Sequence, residues 1–264
     1  MRANRLRELL NSGKPTLGTH VQIPWPSVVE FVGMSEMFDY VEFVAEYSPY
    51  SLQILEDIGR TVELFDGLTS MIKVEQEPRG YVTWRSMGSG IQNLLYADVR
   101  SAEEARQCVR IVRAETPEAG GIHGASMRRS VRFGGDAGSP DFVKSTEEAV
   151  IALMVEKAPA MDELDEILAV DGVDMVQFGA ADFSMSIGRP GEYSHPEVRA
   201  AEKLVIGAAL AAGKHPRAEI GSPDGAKHYL DMGVRHFCVG TDVSILINWF
   251  RTQGDEMRKV LEGK

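Results

Sequence analysis

Two carboxylates stand just after apolar runs in the middle of the chain. Glu156 follows the run 151–155, and Asp182 follows the run 175–178 after a short glycine–alanine turn. In a parallel α/β architecture, strands that are buried on both faces read as continuous apolar runs, and the residue after such a strand faces the ligand side. Two carboxylates that converge there either hold a divalent cation or share a proton. The alternative interpretation is that each one caps the following helix, with Asp182 as the N-cap of a helix over 183–187.

Eight apolar runs that alternate with helical patterns would position these carboxylates. The predicted strands cover 17–23, 40–45, 70–74, 92–97, 151–155, 175–178, 214–220 and 235–239. This count and order predict a (β/α)8 barrel in one domain over 1–264, with an open doubly wound sheet as the alternative. A short amphipathic helix over 4–10 is expected to close one end of the barrel.

Helix starts and one long connection complete this prediction. Capping-box spacing at Ser27, Ser101 and Ser145, each with a Glu three residues later, predicts that each serine caps a helix. The segment 116–140 is rich in Gly and Arg and breaks the strand–helix alternation, and so long a connection is usually functional or mobile.

Composition and net charge limit the classes of partner that the protein is expected to bind. The chain has 264 residues and a formal charge of −11, which argues against nucleic acid or an anionic membrane as a partner. No stretch is long and apolar enough to predict a membrane span. Cys108 and Cys238 form no zinc motif, and two isolated thiols without a signal-peptide pattern favour a cytoplasmic protein.

Further ionisable residues fall at the predicted ligand face. They lie near the ends of the first, second, third and seventh strands, and the long connection could add two more. The set is His20, Glu46, Tyr47, Lys73 and Glu219, with His123 and Arg128 from the connection.

Two long segments resemble a known family. VEKAPAMDELDEILAVDGVDMVQFGAADFSMSIGRPGEYSHPEV and SPDGAKHYLDMGVRHFCVGTDV are similar to the HpcH/HpaI aldolases, which are class II pyruvate aldolases. The resemblance implies a barrel of the phosphoenolpyruvate/pyruvate type in which Glu156 and Asp182 hold Mg²⁺, or Mn²⁺ or Co²⁺. It implies that the backbone N–H groups of Ala181 and Asp182 bind the pyruvate carboxylate. It also implies a homo-oligomer, a hexamer built as a trimer of dimers that exchange the last helix.

The second strand departs from the family pattern. Tyr47 stands at the family's histidine position and Val44 at an earlier acidic position, and Lys73 replaces an arginine. A tyrosine has an ordinary pKa of about 10 against about 6.5 for histidine, so it is a poor base unless a cation such as Lys73 lowers its pKa. His20 and His123 are the candidate replacements for the missing histidine.

The remaining roles follow from these substitutions. Lys73 would stabilise the substrate oxyanion, Glu46 would hold a proton-carrying water, and Arg128 would bind a second substrate carboxylate. Lys73 could alternatively form a Schiff base with a ketone.

Three functions remain open from the sequence. The first is a metal-dependent carbon–carbon lyase that cleaves a 4-hydroxy-2-oxo acid through a pyruvate enolate. The second is a metal-dependent decarboxylase, hydratase, tautomerase or condensing enzyme on a 2-oxo acid. The third is a barrel that binds a keto acid without catalysis.

Overall fold

Eight parallel strands pair in chain order, and the last pairs with the first. The computed structural model describes residues 2–263, so Met1 and Lys264 of the predicted domain lie outside the described residues. Within that range the sheet is a closed barrel, which confirms the (β/α)8 prediction and excludes the open sheet. The strands are β1 Thr16–Val21, β2 Tyr40–Val44, β3 Thr69–Val74, β4 Asn93–Tyr96, β5 Ile151–Val155, β6 Met175–Phe178, β7 His215–Ile220 and β8 His236–Thr241.

Helices follow the strands as the sequence pattern predicts. They are α1 Arg5–Asn11, α2 Pro26–Met34, α3 Leu52–Val62, α4 Arg79–Ser89, α5 Ala102–Val112, α6 Pro140–Glu148, α7 Ala158–Asp162, α8 Leu164–Leu168, α9 Ala180–Ser186, α10 Pro196–Ala211, α11 Ala226–Asp231 and α12 Asp242–Leu261. Short 3-10 turns cover Ala45–Tyr47, Arg129–Gly134 and Pro223–Gly225. None of the described helices combines the length and apolarity that a membrane crossing requires.

Side-chain alternation along each strand divides the core into two layers. In β5, Ile151, Leu153 and Val155 face the surrounding helices, while Ala152 and Met154 face the barrel interior. Leu6 and Leu10 of α1 belong to the interior cluster, so the first helix closes one end of the barrel as predicted.

One predicted cap forms and two do not. The Ser101 side chain accepts a hydrogen bond from the Glu104 N–H and caps α5. Ser27 lies inside α2, because Pro26 begins that helix after Trp25. Ser145 lies inside α6, which Ser139 caps instead. A capping-box pattern therefore predicted the wrong start wherever a nearby proline had already fixed the first turn.

Candidate active site at the barrel mouth

Glu156 and Asp182 both reach the mouth from the carboxyl ends of neighbouring strands. Glu156 follows β5 directly and is almost completely buried, at 3% exposure. Asp182 lies in the first turn of α9, whose N-cap is Gly179, so the capping role considered for Asp182 was wrong. Gly179 is required at this point, because a Cβ there would lie 2.1 Å from Oε2 of Glu156.

Burial raises the proton affinity of Glu156. Its Oε1 accepts a hydrogen bond from the Asp98 N–H at 2.9 Å. Burial, together with the negative charges of Asp182 and Asp98, raises the pKa of Glu156 to about 7. The ammonium of Lys157 lies 2.6 Å from Oδ1 of Asp182 and 2.8 Å from Oδ1 of Asp98. Lys157 and the Asp98 N–H therefore link three carboxylates at this side of the mouth.

A second group of polar residues lies where β2 and β3 end. Lys73 Nζ is 2.6 Å from Oε2 of Glu46 and donates a hydrogen bond of 3.0 Å to Oη of Tyr47. Burial raises the pKa of Tyr47, and the opposing effect of Lys73 is too small to reverse this. The tyrosine therefore keeps its proton at neutral pH and remains a poor base, because Lys73 does not lower its pKa below the ordinary value.

Lys73 also keeps its proton. Burial disfavours its charge, but the hydrogen bond and charge of Glu46 raise its pKa above the ordinary value. A Schiff base needs a neutral amine, so this environment disfavours Schiff-base chemistry and favours a role in stabilising an oxyanion.

The barrel interior below the mouth carries a buried charge cluster. Oε2 of Glu42 accepts a very short hydrogen bond from Nη2 of Arg217, and both side chains are fully buried. His20 Nε2 lies 3.3 Å from Oε1 of Glu42, and its Nδ1 lies 3.4 Å from Oε1 of Glu219. Burial disfavours the charged ring, but Cys238 and Glu42 raise the pKa of His20 well above its ordinary value. The His20 ring therefore lies between two carboxylates, Glu42 and Glu219, and Glu42 favours its protonated form.

These groups surround one open cavity of about 730 Å³. Its lining brings together the predicted Tyr47, Lys73, Glu156, Ala181 and Asp182. The N–H groups of Ala181 and Asp182 belong to the first turn of α9, where helix N–H groups lack intrahelical acceptors and can bind an anion.

His123 and Arg128 do not join this site. His123 is buried beside the end of α5, where its ring packs edge-on against Phe142 and burial lowers its pKa. Arg128 packs against Gly88, near the end of α4. His123 lies by the end of α5 and Arg128 by the end of α4. Both helices run away from the mouth, so these two side chains lie at the opposite end of the barrel. Neither side chain lines the cavity, so the structure does not support the predicted substrate-binding roles of His123 and Arg128.

Four residues, around the linked carboxylates of the mouth and in the buried charge cluster, were not identified from the sequence. They are Glu42, Asp98, Lys157 and Arg217. Glu42 gave a usable signal, since a carboxylate that interrupts the apolar run of β2 must face the interior and needs a buried partner.

The donor set fits a hard divalent cation. Magnesium prefers carboxylate oxygens and a site that is open to substrate, and Glu156 and Asp182 supply two such groups at the cavity wall. A bound cation would offset the like-charge repulsion that contributes to the raised pKa of Glu156.

Fold and site together define a (β/α)8 barrel whose mouth carries paired carboxylates beside an anion-binding helix turn. The profile of the HpcH/HpaI aldolase/citrate lyase family matches residues 69–248. The chain belongs to this family.

Curated relatives and solved structures agree with this assignment. A pyruvate aldolase from Rhizobium etli is 30% identical over 247 residues, covering 92% of this chain and 93% of the relative. A 4-hydroxy-2-oxo-heptane-1,7-dioate aldolase from Shigella sonnei is 28% identical over 92% of this chain and 90% of its own length. A family member from Burkholderia cenocepacia superposes with a TM-score of 0.88 at 25% identity, covering 97% of this chain and 100% of that one. These relatives support a lyase activity for the family.

A more distant structure shares the fold. The citrate lyase beta subunit of M. tuberculosis, solved in complex with oxaloacetate and magnesium, has a TM-score of 0.57 at 12% identity and covers 88% of this chain and 93% of its own.

Proposed function

We propose that the protein is a divalent-metal-dependent aldolase that cleaves a 4-hydroxy-2-oxo acid through a pyruvate enolate. The observation that carries the proposal is Glu156, a buried carboxylate with a pKa of about 7 that shares one cavity with Asp182 and Lys73. Glu156 and Asp182 would hold Mg²⁺, or Mn²⁺ or Co²⁺. When bound, the ion supplies Lewis-acid stabilisation of the negative charge that develops on the 2-oxo group.

The chain's own groups would orient the substrate. The N–H groups of Ala181 and Asp182 would bind its carboxylate at the start of α9. Lys73, which carries its charge, would donate to the developing oxyanion, and Glu46 would keep that ammonium in place. Tyr47 closes this side of the cavity and remains a hydrogen-bonding partner of Lys73.

The test compares metal-depleted and magnesium-loaded protein in retro-aldol cleavage, with pyruvate release as the signal. Chelation is expected to abolish turnover, and Mg²⁺ to restore it. Glu156→Gln should lose turnover, while Glu166→Gln, on the exposed face of α8, serves as the matched control. Full activity in metal-free protein would exclude the proposal.

Decarboxylation is the second candidate, and the state of Tyr47 favours it. Removing carbon dioxide from oxaloacetate generates the same enolate without abstraction of a hydroxyl proton, so a protonated tyrosine at the second strand is no obstacle. Parallel assays of retro-aldol cleavage and oxaloacetate decarboxylation separate the two reactions. Measurable turnover of either substrate removes the hypothesis of a non-catalytic barrel.

We also propose a homo-oligomer, a hexamer assembled as a trimer of dimers that exchange α12. Every residue of α12 from Ser244 onward is exposed, including Trp249 at 61% and Phe250 at 60%. The helix contacts β8 and β1 at its start and then extends away from the barrel. Isolated large apolar faces mark interaction sites, and partner subunits of the same chain would bury this one.

Light scattering after gel filtration tests the assembly. A hexamer should give about six times the chain mass of 29.0 kDa. Trp249→Lys should dissociate the dimers, while a solvent-facing change such as Lys227→Ala should not. A wild-type protein at the monomer mass would contradict the proposal.

We also propose that the protein is cytoplasmic. Both cysteines are buried and unpaired, which suits the reducing cytoplasm that the sequence favours.

A further inference from the structure

The buried cluster of the barrel interior reaches the mouth through one side chain. Glu219 lies near the end of β7, and its side chain is 53% exposed. It lines the same cavity as Glu156, Asp182 and Lys73. One of its oxygens lies 3.4 Å from His20 Nδ1, and the other accepts a 3.4 Å hydrogen bond from Gln177 Nε2. Glu219 is thus a carboxylate in the site that is connected to buried charge behind it.

The contacts behind Glu219 determine where protons lie on His20. Oε1 of Glu42 is buried and has no hydrogen-bond partner among the described residues, and His20 Nε2 lies 3.3 Å from it. A buried carboxylate oxygen requires a donor, and a proton on the adjacent Nε2 of His20 would meet this need. His20 Nδ1 then faces Glu219, and an N–H there satisfies that carboxylate as well.

A metal site is the competing interpretation of the same cluster. Ligand atoms of His20, Glu42 and Cys238 all lie within 4.8 Å of one another. However, the guanidinium of Arg217 is bonded to Glu42 and lies 3.4 Å from His20 Nε2. A divalent ion would be placed against this buried positive charge, so the cluster is arranged for protons and not for a metal.

We propose that Glu219 is the catalytic proton carrier of this site and that His20, fixed by Glu42, is its positioning residue. This proposal rests on the proposed aldolase function and supplies the proton transfer that Tyr47 cannot perform. Glu46, after β2, is paired with Lys73 and does not line the cavity, and the connection 116–140 contributes no lining residue, whereas Glu219 lines the cavity.

The step balances without a further reactant. In cleavage, the Glu219 carboxylate takes the proton of the C4 hydroxyl, and the electron pair of that O–H bond forms the carbonyl of the leaving aldehyde. The C3–C4 bond breaks, and its electron pair remains on the pyruvate fragment as the enolate. Glu219, now a carboxylic acid, returns the same proton to C3. Pyruvate forms and the carboxylate is regenerated.

Glu219→Gln tests the proton carrier, because a half-exposed side chain can be changed without disturbing the core. With Mg²⁺ present, we expect retro-aldol turnover and deuterium exchange at C3 of pyruvate to fall at least about 100-fold, in the range of general acid–base catalysis. Oxalate, a mimic of the enolate, should bind within about threefold of wild type in calorimetry. Glu192→Gln is the matched control, because its carboxylate has a similar exposure of 54% but does not line the cavity, so the change should leave both rates unchanged.

The outcomes separate this inference from the proposed function. If wild-type protein shows neither cleavage nor exchange, the aldolase function and the role of Glu219 are both overturned. If wild-type protein is active and Glu219→Gln keeps more than a tenth of its exchange rate, only the role of Glu219 is overturned.

His20→Asn tests the positioning residue. A positioning role predicts a kcat about 10-fold or more below wild type with KM and oxalate affinity nearly unchanged. A wild-type kcat, or a parallel loss of kcat, oxalate binding and thermal stability, would overturn the assignment, since a residue that only packs the core would affect them together.

Discussion

The interior of the barrel differs sharply between its two halves. The half formed by β3 to β6 is lined mainly by apolar side chains such as Met71, Leu95, Met154 and Met175, with the neutral Asn93 and Gln177 among them, and the one buried charge of these four strands, Lys73, lies at the mouth. The opposite half, formed by β7, β8, β1 and β2, encloses His20, Glu42 and Arg217, together with Tyr40 and Cys238. The paired carboxylates stand above the apolar half, and Glu219 stands above the charged one.

This contrast shows that the two halves are stabilised in different ways. An apolar half gains stability from burial and tolerates changes that conserve volume. A buried ion pair often contributes no more stability than an apolar replacement would, although removing one partner is strongly destabilising. The charged half is therefore better explained by a function, such as supporting Glu219, than by stability.

The largest expected effect comes from breaking the charged half. Glu42→Gln leaves Arg217 buried without its counter-charge and should lower the free energy of unfolding by about 3–5 kcal/mol. Urea denaturation measures this difference. Met175→Leu, in the apolar half, should cost less than about 1.5 kcal/mol.

A paired replacement sharpens the same prediction. Glu42→Leu combined with Arg217→Met should recover most of the loss, because the buried guanidinium is removed together with its counter-charge. Equal effects of Glu42→Gln and Met175→Leu would contradict the difference between the halves.

The next effect concerns the metal site above the apolar half. Glu156→Gln removes one charged ligand and should weaken Mg²⁺ binding by about 100-fold or more, since changes even outside the ligand shell lower metal affinity 10- to 100-fold. Isothermal titration calorimetry of Mg²⁺ measures the change. Glu219→Gln, above the charged half, should bind Mg²⁺ within a few-fold of wild type. A Glu156→Gln protein with wild-type affinity would be incompatible with this site.

A change of pH is expected to have a smaller effect on the affinity for Mg²⁺. Because the pKa of Glu156 is about 7 without metal, the carboxyl is mostly protonated at pH 6 and mostly ionised at pH 8. The proton on Glu156 stabilises the metal-free fold fully below the ordinary pKa of about 4.5, and this contribution is lost as pH rises through about 7. Mg²⁺ must displace that proton, so its affinity should be about 10-fold higher at pH 8 than at pH 6.

Thermal unfolding with and without Mg²⁺ provides the measurement, and the stabilisation by Mg²⁺ should be larger at pH 8. Glu156→Gln is the control, because this dependence on pH should disappear. If Mg²⁺ stabilises the wild-type protein equally at both pH values, Glu156 is not the titrating metal ligand.

The smallest expected effect concerns Lys157. Its ammonium neutralises Asp98 and Asp182, so it competes with a cation for the Asp182 carboxylate. Lys157→Ala should therefore tighten Mg²⁺ binding a few-fold, the size expected for a partly exposed ion pair. Lys144→Ala, which changes an exposed pair on α6, is the control. Weaker binding in Lys157→Ala would show that the ammonium supports the site.

Much of the fold could be predicted because burial on both faces leaves a direct pattern in the sequence. The runs 151–155 and 175–178 coincide with β5 and β6, and their ends place Glu156 and the α9 turn at the mouth. Local patterns were less dependable at helix starts, since Pro26 and Pro140 moved the caps away from Ser27 and Ser145.

The sequence by itself determined the strand order, the barrel and the two carboxylates, because each depends on apolar periodicity and on the residue that follows a strand. Only the tertiary structure decided the partners of the charges. Arg217 meets Glu42 across 175 positions and His20 across 197, and no local pattern encodes a contact made by closure of the barrel. The same closure separates His123 and Arg128 from the mouth, because the end of the barrel at which a loop lies depends on the path of the whole chain.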